Sequence, residues 1–204
     1  MLIGVLALQG AVSEHLEMLR RLGCEALPVR DTETLSSVSG LILPGGESTT
    51  VGILLNRWEL LDALRARAQE GLPLFGTCTG MIILAREILD GLSSQPVLGL
   101  MDVSVRRNAF GRQRESFEAP IRMDALGKAP FPGVFIRAPY IEKAGKKVEI
   151  LAAYEEKIVA AREKNFLVSA FHPELTTDCR LHEYFISMCA QEPAEKREMS
   201  RCRS

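Results

Sequence analysis

Most of what is missing from this chain of 204 residues narrows its function. No apolar run approaches the roughly 18 residues needed to cross a bilayer. There is no basic excess to serve a nucleic acid, since Lys and Arg total 25 against 26 Asp and Glu, a net charge of -1. The cysteines, Cys24, Cys78, Cys179, Cys189 and Cys202, are odd in number and follow no framework spacing. A reducing compartment suits them better than a disulfide scaffold. The opening run Met-Leu-Ile-Gly-Val-Leu-Ala-Leu has no basic lead and passes straight into a fold-like pattern, so it is expected to be a first strand rather than a signal peptide. Neither an internal repeat nor a domain linker is visible. The expectation is one cytoplasmic domain over residues 1–190, followed by a polar, frayed tail over 191–204.

What is present is an alternation. Leu2–Leu8, Glu25–Val29, Gly40–Leu43 and the run at 73–77 read as strands, the first as a continuous apolar run of the kind buried on both faces of a parallel sheet. Helical spacing follows Ser13, a predicted cap, with Leu16, Leu19 and Leu22 facing inward. It recurs over 49–56, over 58–70, and after the fourth strand at Met81, Ile82, Leu84 and Ala85. Beyond Leu89 the segments 97–105, 116–121, 134–136, 148–154 and 158–161 are short and strand-like between Gly, Pro and polar turns. Phe166–Phe171 is one more strand, and Asp178 is placed to cap a last helix through Ala190. The class is α/β, with a mainly parallel central sheet and added antiparallel strands.

The chemistry centres on Gly76-Thr77-Cys78-Thr79-Gly80. Gly-x-Cys-x-Gly between a strand and a helix is the thiol form of a nucleophile elbow, whose glycines allow close backbone approach. The helix N-terminus would favour thiolate, and Thr79 N–H is an oxyanion donor. The competing reading is a buried structural cysteine. Histidine is scarce. His15 and His182 lie within helices and read as surface or packing residues, whereas His172 ends a strand and has Glu174 two residues on. An extended segment would put both on one side, so that the carboxylate fixes the imidazole tautomer. Pro173 stiffens the pair. Cys78, His172 and Glu174 then form a candidate triad.

Gly45-Gly46 ends another apolar strand, so Gly46 N–H is a candidate second oxyanion donor. A phosphate loop is disfavoured because its lysine is missing. Zinc is disfavoured too: Cys179 and His182 have no second pair to answer them, and no metal is expected. Arg106, Arg107, Arg112 and Arg114 crowd one loop with Asn108, Phe110 and Gly111; an arginine there, or Arg137, could hold a carboxylate by a bidentate fork.

The Gly-Gly loop at 45–46, Gly-Thr-Cys-Thr-Gly at 76–80 and His-Pro-Glu at 172–174 together resemble the class I (triad) glutamine amidotransferases. The strings 3–12, 41–50, 107–113, 134–139 and 171–176 bring the resemblance closer to the glutaminase subunits of pyridoxal 5′-phosphate synthase, over about residues 1–190. The resemblance implies a three-layer, flavodoxin-like fold and hydrolysis of L-glutamine to glutamate and ammonia. It implies Cys78, His172 and Glu174 as the triad, Gly46 and Thr79 as the oxyanion hole, and Gly46, Glu47, Ser48, Arg107, Ile136 and Arg137 as substrate-binding residues. No cofactor is implied. The partner implied is a (β/α)8-barrel synthase in a ring-shaped hetero-oligomer, reached by ammonia through a tunnel. Gln9 would belong to the oxyanion region or the interface. Position 79 is often alanine in this family and is Thr here. The rivals are a triad glutaminase feeding another acceptor, a γ-glutamyl hydrolase, or a non-catalytic assembly subunit.

Overall fold

Apolar runs that leave no polar face must be covered on both sides, and this chain stacks them in parallel. In the computed structural model, which describes residues 1–90, 95–107 and 115–191, β1 (Leu2–Leu6) lies between β2 (Glu25–Val29) and β3 (Gly40–Leu43), and β3 pairs with β4 (Leu74–Thr77). The late strand β12 (Phe166–Ser169) then pairs in parallel with β4. Every residue of β3, β4 and β12 is buried. The order β2-β1-β3-β4-β12 is the doubly wound arrangement, which places ligands beyond the carboxyl ends of the strands.

Beyond β12 the sheet changes character, as the predicted Gly- and Pro-punctuated texture of the second half requires. β11 (Lys157–Glu163) is antiparallel to β12, and β9 (Tyr140–Ala144) and β6 (Met101–Arg106) continue antiparallel. β5 (Ala85–Ile88) closes the order in parallel with β6, while β10 (Glu149–Tyr154) also pairs with β11. A separate hairpin joins β7 (Ser116–Ile121) to β8 (Phe131–Ile136). It is pinned by aromatics: Phe117 stacks on Phe135 at 4.7 Å, and Phe131 and Phe135 both meet Phe171, the residue before His172.

The helices are α1 (Val12–Arg21), α2 (Thr32–Ser37), α3 (Ser48–Arg57), α4 (Leu60–Gln69), α5 (Thr79–Leu84) and α6 (Arg180–Ala190). Several local expectations change. The Ser13 side chain does not cap α1; it bonds the neighbouring Glu14 carboxylate, and Ala11 holds the cap position. Cys179 rather than Asp178 is the cap residue of α6. Asp178 still accepts from Arg180 N–H at 3.1 Å and binds the Arg180 guanidinium. That guanidinium also donates to the carbonyls of Leu126, Ala129 and Pro130, tying the segment before β8 to α6. The helix after the elbow stops at Leu84, and Ala85 begins a strand, because an all-apolar run satisfies either pattern.

Among the described residues no helix is long and apolar enough to cross a membrane. Asn108, Phe110, Gly111, Arg112 and Arg114, residues 91–94 and the predicted tail from 192, including Cys202, lie outside the described residues.

Candidate active site

Three strand ends converge. β4 delivers Cys78, β3 delivers the Gly45-Gly46 loop, and β12 delivers His172 three residues past its end, all on the carboxyl side of adjacent parallel strands. Cys78 has φ 48 and ψ −102, a region that L-residues avoid, as the elbow geometry demands. Its flanking glycines are needed for space. A Cβ at Gly80 would overlap the carbonyl oxygen of Leu43, and one at Gly76 would lie 2.5 Å from the Gly80 carbonyl. The turn is therefore folded onto its own helix and onto the neighbouring strand.

His172 is 8% exposed and its backbone N–H donates to Val134 O at 2.8 Å, so β8 seats it. Its Nδ1 lies 2.7 Å from Glu174 Oε1. The contact is as predicted, but the backbone is not: residues 173–175 form a 3₁₀ turn, with His172 at φ −103 and ψ 87. With Nδ1 occupied, the other ring nitrogen remains for the Cys78 thiol, whose Cβ lies with the His172 ring against the same face of Gly45. Burial works against a charged imidazole. The neighbouring Cys78 and Glu174 outweigh it and raise the His172 pKa to about 10. The Glu174 carboxyl is held below its ordinary range although burial pushes the other way, through His15 and then His172.

The Gly-Gly loop touches both. A Cβ on Gly45 would overlap the His172 ring and lie 3.4 Å from Cys78 Cβ. Gly45 O accepts from Ala11 N–H at 3.2 Å. In a planar trans peptide the Gly46 N–H points the opposite way, away from the start of α1. The next peptide is fixed at both ends. Glu47 N–H donates to Gln9 Oε1 at 2.7 Å, and the Thr79 hydroxyl donates to Gly46 O. The Thr79 side chain thus ties the elbow to the loop.

The remaining candidates divide. Ile136 O lies 3.9 Å from Cys78 Sγ. Arg137 follows with φ 44, its N–H bonded to Glu115 O and its side chain exposed. Ser48 is buried at the start of α3. Glu47 uses its carboxylate to cap that helix, accepting from Thr49 N–H, Thr50 N–H and the Thr50 hydroxyl. Burial raises its pKa, and these bonds overcome that and bring it down to about 2. Arg107, just past β6, is engaged by Asp90: the backbone N–H donates to the carboxylate and Nη2 donates to Asp90 O at 2.8 Å. Arg106 pairs with Glu142 instead. Cys179 and His182 face different partners, the thiol Glu183 and the imidazole His15.

Two residues read from the sequence as surface or packing residues are neither exposed nor isolated from the site. His15 and His182 are fully buried, with His15 Nδ1 3.0 Å from His182 Nε2. His15 Nε2 lies 3.3 Å from Glu174 Oε2 and 3.2 Å from the Thr77 hydroxyl. Both rings pack on Phe75 of the elbow strand. The available signal was phase: His15 precedes Met18 and Leu19, and His182 precedes Phe185, at inward helical spacing.

Residues 5–191 match the SNO glutamine amidotransferase family. The chain is 55% identical over 188 residues to the pyridoxal 5′-phosphate synthase subunit PdxT of Desulforamulus reducens, covering 92% of this chain and 99% of that one. It is 56% identical over 191 residues to the PdxT subunit of Pelotomaculum thermopropionicum, covering 94% and 96%. A crystal structure of a glutamine amidotransferase superposes with a TM-score of 0.88 at 50% identity, covering 93% of this chain and 99% of that one. PurLQS from Thermotoga maritima shares the fold at a TM-score of 0.64 and 14% identity, covering 91% and 97%. With a strained elbow cysteine, a carboxylate-bound histidine and a bare glycine loop on adjacent strands, the chain belongs to the SNO glutamine amidotransferase family.

Proposed function

We propose that the chain is the glutaminase subunit of a pyridoxal 5′-phosphate synthase. It hydrolyses L-glutamine to L-glutamate and ammonia, and passes the ammonia to a synthase partner. Membership in a glutamine amidotransferase family and about 55% identity to PdxT subunits support the reaction and the pathway. The observation that carries the chemistry is the His172 ring held through Nδ1 on Glu174 at 2.7 Å and set, with Cys78, against Gly45, which leaves its other nitrogen for the thiol.

The steps follow from that arrangement. The Cys78 sulfur, its proton held by His172, attacks the glutamine carboxamide carbon, and the carbonyl oxygen becomes an oxyanion. Gly46 N–H and Thr79 N–H donate to it. His172 then gives its proton to the amide nitrogen, the C–N bond breaks, and ammonia leaves a γ-glutamyl thioester on Cys78. Water, deprotonated by His172, attacks the thioester; the C–S bond breaks, glutamate leaves and the thiol is restored. Glu174 stabilises the imidazolium throughout. Gly46, Glu47, Ser48, Arg107, Ile136 and Arg137 position the substrate. Because the Glu47 carboxylate is committed to α3, its backbone is the part available to glutamine. The synthase partner is a (β/α)8 barrel in a ring-shaped assembly.

Glutamate and ammonia release from glutamine, with and without the cognate synthase subunit, tests the proposal in wild type and Cys78→Ala. Release is expected in wild type with the partner and absent in Cys78→Ala. Wild-type protein that yields no glutamate with its synthase overturns the reading.

A further inference from the structure

The proposed oxyanion hole takes one donor from the elbow, Thr79 N–H, and one from the neighbouring loop, Gly46 N–H. Such donors work by being aimed before the charge develops. Two glycines in succession, Gly45 and Gly46, give the loop unusual backbone freedom, so something must hold it. The sheet does not. Pairing of β3 with β4 ends at Leu43 and Gly76, and Gly46 and Thr79 each lie three residues further on. The peptide before Gly46 is held by Ala11 N–H, which donates to Gly45 O at 3.2 Å. The peptide after it is held twice, by the Thr79 hydroxyl on Gly46 O and by the Gln9 side chain on Glu47 N–H.

The two holds on that peptide differ in stiffness. Gln9 is exposed, and its long side chain shares its amide with water. Thr79 is buried and β-branched, so its side chain has few rotamers. Its backbone is anchored by the bonds of the elbow on either side: Cys78 N–H donates to Ser169 O at 2.8 Å, and Met81 N–H to Cys78 O at 3.1 Å. The direction of the hydroxyl bond is certain, because a carbonyl oxygen only accepts. Gly46 itself is exposed. Without the hydroxyl its carbonyl could turn to water at little cost, and the peptide would swing. That swing moves Gly46 Cα, to which the donor nitrogen is bonded.

We propose that the Thr79 hydroxyl is a positioning group of the oxyanion hole. The residue serves the hole twice: its N–H donates to the oxyanion, and its side chain keeps the second donor, Gly46 N–H, in place. The hydroxyl bridges two strand ends beyond the reach of the sheet ladder, so that elbow and loop move as one unit about Cys78. The methyl group of Thr79 has no part in this; the hydroxyl alone carries it.

This inference rests on the glutaminase reading, so its test has two readouts. Thr79→Val keeps the shape and removes the donor; Thr79→Ser keeps the donor and removes the methyl. The first readout is steady-state glutaminase activity of the full chain with the cognate synthase. Thr79→Val is expected to lower kcat by about 10- to 100-fold with KM within about twofold of wild type, since the hydroxyl acts on the transition state alone. Thr79→Ser should recover most of that loss. The second readout needs no glutamine: the hydrogen-exchange rate of the Glu47 amide in the full chain, followed by NMR. It should rise by about fivefold or more in Thr79→Val and stay near wild type in Thr79→Ser. Were wild type inactive on glutamine, this readout would still decide whether the hydroxyl holds the loop. Should Thr79→Val not fold, Thr79→Ala serves as the donor-free variant. A folded donor-free variant with wild-type or higher kcat, or with unchanged Glu47 exchange, overturns the proposal. So does a Ser variant as impaired as the donor-free one.

Discussion

His172 and Glu174 meet at 2.7 Å across a 3₁₀ turn rather than along a strand. The turn brings the carboxylate beneath the imidazole and into a pocket where it is fully buried. Glu174→Gln should therefore keep the fold and lose turnover. The amide oxygen can still accept from Nδ1–H, but it carries no charge for the imidazolium. A fall in kcat of about 10²–10⁴ is expected, with the thermal midpoint within a few degrees of wild type. Glutamate production at the wild-type rate would remove Glu174 from the mechanism.

The elbow glycines make a different kind of prediction, about space. A methyl group at Gly80 meets the Leu43 carbonyl in β3, and neither backbone can yield without parting the strands. Gly80→Ala should cost about 3 kcal/mol or more. Gly23→Ala is the comparison: nothing lies within 4 Å, so only the positive φ of 74 is penalised, by about 1–2 kcal/mol. Urea unfolding of both variants checks the order. Equal losses would mean that the overlap at Gly80 is relieved by small shifts and does not by itself require glycine there.

The buried histidines predict a pH dependence of stability with a definite sign. His182 has its folded pKa lowered from 6.5 to about 3, so the unfolded chain takes up a proton before the folded one does. Its contribution is whole above 6.5 and is lost as pH falls, by about 1.4 kcal/mol per pH unit for one such group. His15 acts in the same direction. His172 acts oppositely: its raised pKa stabilises the fold below 6.5, and that contribution is lost as pH rises toward 10. His182→Phe should flatten the fall in unfolding free energy between about pH 6.5 and 4.5, above the range where carboxylates dominate. An unchanged slope in urea titrations would show that His182 is not held neutral.

What could be read beforehand follows the range of the interactions. The elbow was legible because its glycines, cysteine and apolar flanks are adjacent in sequence. β2 and β3 ran to their predicted ends at Val29 and Leu43, where the apolar runs stop. The helix α2 escaped notice because Leu35 is its one buried residue and the rest is polar. β9 was missed because Tyr140–Ala144 alternates poorly, and its pairing is settled by β6 and β11. The pair His15 and His182, 167 positions apart, belongs to no local pattern, and a helical histidine looks alike whether it faces solvent or a carboxylate. The contact of His172 with Glu174 was anticipated on a strand geometry that the chain does not adopt.

The doubly held peptide between Gly46 and Glu47 has a mechanical consequence. Gln9 is exposed, yet its side chain grips one end of that peptide, while the residue next to the nucleophile grips the other. Two hydrogen bonds and one rigid peptide plane separate the protein surface from Cys78. Removing the Gln9 amide would free the Glu47 N–H and leave that peptide held from the elbow side alone.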